Sequence, residues 1–210
     1  MTGADIEGIF DTYSSHAEDL GRRFQDVEVE EFLAPVMAHL PAPPVRILDL
    51  GAGSGRDAAW FASLGHDVVA VEPVADLAAQ ASSLEGNARV EWITDALPDL
   101  ASLDGREGLF DLGWICAVWH HLDPEMRRRT LARVASLLRP GGRLILSLRR
   151  SSDIDNRLIF EAEPDPAIAL AEAAGFVLVD RQDAGSAQTH NKAAGVSWCW
   201  LVFDLQEQDA

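Results

Sequence analysis

The stretch Ile47-Leu48-Asp49-Leu50-Gly51-Ala52-Gly53-Ser54-Gly55-Arg56 decides the reading of this chain. An apolar run, VRILDL, ends in a loop with three glycines, and a helical pattern begins at Arg56. Glycines at a strand-to-helix turn permit positive φ and let a backbone approach a ligand closely. In an open α/β sheet, ligands bind at the carboxyl ends of strands near the switch point. The loop reads GAGSG followed by Arg56, so the third glycine of a dinucleotide-type GxGxxG pattern is absent. A tight strand–helix turn without a ligand is the plain alternative.

Strands and helices alternate on either side of this turn. Apolar runs predict strands at 45–50, 67–71, 88–93, 109–116, 143–148, 176–180 and 196–203. Helical spacing predicts helices at 56–64, 74–84, 124–138 and 166–174, the third stopped by Pro140-Gly141-Gly142. Such alternation, with continuous apolar strands, indicates a mostly parallel sheet covered by helices on both faces. The last two strands are joined by a polar, glycine-containing connection, 182–194, with no helix pattern, which can support an antiparallel pair. Ahead of the sheet, Ile6, Ile9, Phe10, Tyr13, Phe24, Val27, Phe32, Val36 and Leu40 recur at roughly helical spacing, predicting two or three helices. PAPP at 41–44 ends them. One domain over 1–210 is expected, with a helical cap at 1–40, a core at 45–205 and a frayed tail at 204–210.

With 48% hydrophobic and 24% charged residues, the composition is that of an ordinary soluble globular protein. Seventeen Lys+Arg against 34 Asp+Glu give a formal net charge of -17, which disfavours nucleic acid and anionic membrane surfaces as partners. Cys116 and Cys199 lie in separate apolar runs and form neither a disulfide framework nor a CxxC metal pattern. A reduced, cytoplasmic setting follows. The first ten residues lack a basic, apolar signal pattern, and no run of about 18 apolar residues exists for a membrane span.

Two further acids frame the glycine loop. Glu72 ends the second predicted strand, and Asp95 follows the third at the same spacing. A carboxylate at the first place suits two ribose hydroxyls, and one at the second can accept from an adenine amine. Alone, each acid is a solvated loop residue; three strand ends in register, each with a suitable group, describe an adenosine pocket.

These residues resemble the class I S-adenosylmethionine-dependent methyltransferases. The resemblance rests on LDLGAGSGRDAAWFA, VAVEP, WITDALP, FDLGWICAVWHHL and LLRPGGRLILSL, from about Val45 to Leu148. It implies a Rossmann-like, doubly wound α/β sheet of seven strands in the order 3-2-1-4-5-7-6, strand 7 antiparallel. It implies S-adenosyl-L-methionine as cofactor. Asp49, Gly51, Ala52, Gly53 and Gly55 would approach its methionine and ribose, Glu72-Pro73 the ribose hydroxyls, Asp95 and Ala96 the adenine. Ile115 and Cys116 would lie near the methionine amine. Arg56-Asp57 either shapes the loop or is a helix-start charge pair.

Methyl transfer from a sulfonium needs alignment above all, and a general base only where the nucleophile must lose a proton. His120 and His121 are the candidates for that base; packing of the turn is the alternative. Trp119 is expected as a pocket wall rather than core. Arg149 and Arg150 could hold an anionic group of the acceptor or be solvated charges. Tyr13 and His16 are expected in the acceptor pocket, with helix packing as the alternative. Metal-dependent catechol-type relatives use an Asp-Asn pair where this chain has Asp155-Asn156, plus an Asp where it has Cys116-Ala117; without that carboxylate no metal is expected.

The expected function is therefore methyl transfer to a small-molecule acceptor by a cytoplasmic monomer or homodimer, with no nucleic acid and no membrane as partner. A non-catalytic S-adenosylmethionine-binding protein and, less favoured by the GAGSGR loop, a nicotinamide-dependent oxidoreductase are the competing readings.

Overall fold

The computed structural model describes residues 3–150 and 160–207; the side chains of residues 3–6 and of His190 fall outside the description. One sheet holds seven strands: β1 (Arg46–Leu50), β2 (Asp67–Val71), β3 (Val90–Ile93), β4 (Phe110–Ile115), β5 (Leu138–Arg150), β6 (Phe176–Gly185) and β7 (Ser197–Leu205). Their order is β3-β2-β1-β4-β5-β7-β6. The first five pair in parallel, and β7 runs antiparallel to both β5 and β6. The chain reverses its winding direction between β1 and β4, which is where such a sheet opens a crevice.

Among the described residues eight α-helices accompany it: α1 (Gly3–Ser15), α2 (Ala17–Gln25), α3 (Val29–Leu33), α4 (Arg56–Ser63), α5 (Ala75–Ala78), α6 (Pro124–Leu137), α7 (Pro164–Ala173) and α8 (Thr189–Ala193). Successive strand residues point to opposite faces, and both faces are apolar. Leu48, Leu50, Val69, Val71, Leu144 and Leu146 meet Leu131 and Val134 of α6 and Ala167 and Ala171 of α7. Ile47, Val68, Ala70, Leu112 and Trp114 meet Ala58, Phe61 and Ala62 of α4 and Leu33 of α3. Asp123 caps α6, accepting from the Met126 amide at 2.8 Å, with Pro124 at the first helical position.

Four segments differ from the sequence expectation. The 74–84 segment is α5 followed by 3₁₀ turns over Ala79–Ser83; there Ala81 is fully buried under Gly55. Pro140-Gly141-Gly142 does not separate α6 from the next strand. It lies within β5 as an irregularity in pairing with β4, where Gly141 adopts φ +71°. The 182–194 connection carries the short helix α8, and β6 runs on to Gly185. Asp204 is not frayed: it closes β7, held by the Arg143 guanidinium at 2.8 and 3.1 Å.

Of the N-terminal helices, α3 is packed into the molecule rather than laid on it. Leu33 of α3 is fully buried among residues of the α4 face. Leu33→Ala should cost about 2–5 kcal/mol of unfolding free energy, measured by urea denaturation. A loss of a few tenths would mean that α3 is only loosely attached.

Candidate functional site

The glycine loop leaves β1 at Leu50, and its shape requires glycine at two points. A Cβ on Gly51 (φ +74°) would stand 2.4 Å from Val118 Cγ2. One on Gly55 (φ +78°) would stand 2.7 Å from Ala81 Cβ. The amides of Gly51 and Ala52 both donate to Val71 O, at 2.8 and 3.1 Å, which ties the loop to the end of β2.

Glu72 completes that tie. Its Oε2 accepts from the Gly53 amide at 2.8 Å and its Oε1 from the Val74 amide at 2.8 Å. One buried carboxylate thus fixes the loops after β1 and β2 to each other. Burial raises its carboxyl from the ordinary value, and the Val74 and Gly53 amides pull against that rise. Each oxygen keeps a further lone pair for a ligand hydroxyl.

Asp49, 2% exposed, lies at the same strand ends. Burial first, then the neighbouring Asp57 and Glu72 carboxylates, hold its carboxyl well above the usual range, with Arg56 opposing. Its Oδ2 is buried without a hydrogen-bond partner among the described residues. Asp95 accepts from the Ala96 amide at 2.7 Å and the Ser102 amide at 2.8 Å, so its carboxylate is oriented by its own turn.

Arg56 joins the loop to the N-terminal helices. Its guanidinium pairs with Asp57 at 2.7 Å, donates to Phe24 O at 3.2 Å, and lies 4.2 Å from the centre of the Phe32 ring. Asp57 in turn accepts from Trp114 Nε1 at 3.0 Å. Either sequence reading of Arg56-Asp57 described half of this: the pair begins α4 and also anchors α2 and α3. The residues Phe24 and Phe32, which sequence reasoning read as packing positions only, thereby form a roof over the loop.

Between sheet edge and roof lies a cavity of about 900 Å³. Asp49, Gly51, Ala52, Gly53, Glu72, Pro73, Asp95, Ala96 and Cys116 line it from the strand ends, and Tyr13, His120, His121 and Arg149 from around them. Burial pushes the Cys116 thiol well up, which disfavours the thiolate there.

Residues 47–142 match the family described as "Methyltransferase domain". That match, a little under half of the chain, and the similar proteins below support a class I S-adenosylmethionine-dependent methyltransferase. An uncharacterized methyltransferase of Mycobacterium tuberculosis is 34% identical over 112 residues, 50% of this chain and 40% of that protein. A ubiquinone biosynthesis O-methyltransferase of Xanthomonas campestris is 32% identical over 114 residues, 53% of this chain and 46% of that protein. The match thus spans less than half the length of these curated relatives. Among solved structures, the 1,6-didemethyltoxoflavin-N1-methyltransferase of Burkholderia thailandensis superposes with a TM-score of 0.76 at 27% identity, covering 99% of this chain and 92% of that one. That protein holds 1,6-didemethyltoxoflavin and S-adenosylhomocysteine.

The cavity fits S-adenosyl-L-methionine. The orphaned oxygen of Asp49 offers an acceptor to a cationic group, Glu72 offers lone pairs to hydroxyls, and the glycine backbone leaves room for both. Five residues of the expected site do not line the cavity. Trp119 is fully buried in the core beside Arg127, whose guanidinium lies 5.4 Å from its ring; the 3₁₀ turn Trp119–His121 sends the indole into the core and the histidines to the cavity. His16 is exposed at the break between α1 and α2, its Nδ1 3.0 Å from Thr12 O. Arg150 pairs with Asp183 at 3.1 Å, because adjacent residues of β5 face opposite sides and only Arg149 faces the cavity. Gly55 and Ile115 are buried behind the wall. Asp155-Asn156 lies outside the described residues. Sequence reasoning also missed Gln188, Thr189, Asn191 and Lys192 on the far wall; the polar run around them carried no motif.

Removing the Glu72 carboxylate should act twice. Glu72→Ala leaves the Gly53 and Val74 amides without their acceptor, so stability should fall by about 1–3 kcal/mol. S-Adenosylhomocysteine affinity, measured by calorimetry, should fall at least about tenfold. Unchanged affinity would contradict the assignment of this carboxylate to the ligand.

Proposed function

We propose that this protein transfers a methyl group from S-adenosyl-L-methionine to a small-molecule acceptor and releases S-adenosylhomocysteine. The observation that carries the reading is the cavity itself. Acids from three consecutive strand ends, Asp49, Glu72 and Asp95, meet the glycine loop at one end of it. Aromatic rings of the N-terminal helices, among them Phe10, Phe24 and Phe32, cover it. That is room for a nucleoside and a second, compact molecule. In this reading Glu72 accepts from the ribose hydroxyls, Asp95 and the Ala96 amide meet the adenine, and Asp49 faces the methionine ammonium. The N-terminal helices exclude water and hold the acceptor, which is most of what a displacement at a sulfonium asks of a protein. The bound cofactor supplies the activated methyl group.

The relatives support a compact acceptor. The Burkholderia enzyme holds 1,6-didemethyltoxoflavin, and the Xanthomonas relatives are named for an O-methylation in ubiquinone biosynthesis. The net charge of -17 favours a partner other than nucleic acid or an anionic membrane. Among the described residues no helix is long and apolar enough to cross a membrane. The free thiols Cys116 and Cys199 are in keeping with a cytoplasmic setting.

Two measurements test the reading. Incubation with S-adenosylmethionine and a mixed panel of small acceptors should yield S-adenosylhomocysteine; cofactor binding without any turnover would favour a non-catalytic binding protein. The second concerns pH. Asp49 holds its proton to higher pH than an ordinary carboxyl because it is buried, with the Asp57 and Glu72 carboxylates nearby. A cationic ligand beside it favours the carboxylate, lowers that value and releases a proton. Affinity for S-adenosylmethionine should therefore tighten as pH rises toward the value Asp49 has in the free protein, and level off above it. Calorimetry in buffers of different ionisation heat should detect the released proton. A flat affinity with no proton release would contradict the placement of Asp49.

A further inference from the structure

The N-terminal helix α1 reaches across the cavity to the turn after β4. Tyr13 Oη lies 2.9 Å from His121 Nε2, although 108 residues separate them. The two rings meet edge to face, with centroids 5.6 Å apart. His120 stacks beside His121 at 4.2 Å. All three line the cavity, and Tyr13 is the chain's only tyrosine. Simple helix packing would be served by phenylalanine. A hydroxyl aimed at an imidazole nitrogen is a proton path.

We infer that Tyr13 and His121 form a proton relay for an acceptor whose nucleophilic atom carries a mildly acidic proton: a phenolic or enolic hydroxyl, or a ring N–H of a planar heterocycle. The inference rests on the methyltransferase reading above. Its chemistry balances as follows. The acceptor's X–H donates to Tyr13 Oη, and Tyr13's own O–H donates to His121 Nε2. As the X–CH₃ bond forms, the S–CH₃ bond breaks and its electron pair stays on sulfur, so the sulfonium becomes a neutral thioether. The acceptor's proton passes to Tyr13, and Tyr13's proton passes to His121. One positive charge leaves sulfur and one appears on the imidazolium, so charge is conserved. A neutral imidazole is an effective proton acceptor near pH 7.

The surroundings favour a planar acceptor. Phe10, Phe24, Phe32 and Trp198 line the same cavity as the Tyr13–His121 pair. Flat aromatic walls bind flat rings well, and their orientation selects the edge presented to Tyr13. Since Tyr13 belongs to α1, the relay is complete only with that helix seated. Water exclusion and proton removal are thereby set by the same element.

The test compares wild type with Tyr13→Phe, His121→Gln and the double variant. Acceptors are substituted phenols and N–H heterocycles of graded acidity, from protonated to fully ionised at neutral pH, together with simple thiols. S-Adenosylhomocysteine binding is measured by calorimetry alongside. The relay predicts that wild type methylates the protonated acceptors and that each single variant loses about 10²-fold on them. It predicts little change on acceptors that arrive ionised, no further loss in the double variant, and unchanged S-adenosylhomocysteine affinity. Equal losses across the panel, no loss at all, or transfer confined to thiols and ionised acceptors would overturn the relay and leave the transferase reading standing. No transfer to any acceptor, with binding intact, would overturn both.

Discussion

The Glu72 carboxylate holds this site together. Its two oxygens accept from Gly53 and Val74, amides on two different loops. A charged group so buried is costly unless its hydrogen bonds are made, and here the backbone makes them. The consequence is a glycine loop whose open face is set before any ligand arrives. Val71 O strengthens the same joint by taking the Gly51 and Ala52 amides. The end of β2 thus serves as the template on which the loop after β1 is shaped.

Arg56 carries that order outward. Its guanidinium links Asp57, Phe24 O and the Phe32 face, so the loop, the first turn of α4 and the N-terminal helices share one cation. Arginine suits such a role because its planar group can bond and stack at once. From this anchor α1 extends to the turn after β4, where Tyr13 meets His121. The glycine loop and the turn after β4 are therefore both tied to the N-terminal helices by side chains.

The fold was largely legible in the sequence because its strands are continuous apolar runs punctuated by glycine, and because both sheet faces are covered. The polar 182–194 connection pointed to the antiparallel pair, and the family resemblance supplied the strand order. Side-chain direction was less legible. Trp119, His120 and His121 are adjacent, and only the turn of the backbone decides that the indole enters the core while the imidazoles face the cavity. Arg149 and Arg150 differ only in the phase of β5, which two consecutive arginines do not reveal. Pro140-Gly141-Gly142 reads as a stop, yet pairing with β4 holds it inside a strand as an irregularity. The partnership of Tyr13 with His121 depends on how α1 crosses the sheet edge, and no local pattern encodes that. By contrast, Asp49, Glu72 and Asp95 were legible as a set, because parallel strands bring their carboxyl ends to one edge.

The most direct test of this account is a crystal structure of the protein with S-adenosylhomocysteine. The account predicts the ribose hydroxyls within hydrogen-bond distance of Glu72, the adenine beside Asp95 and Ala96, and the sulfur facing the space under Tyr13 and His121. A nucleoside bound away from the glycine loop, or a Glu72 engaged only by Gly53 and Val74 with the ligand in place, would contradict it.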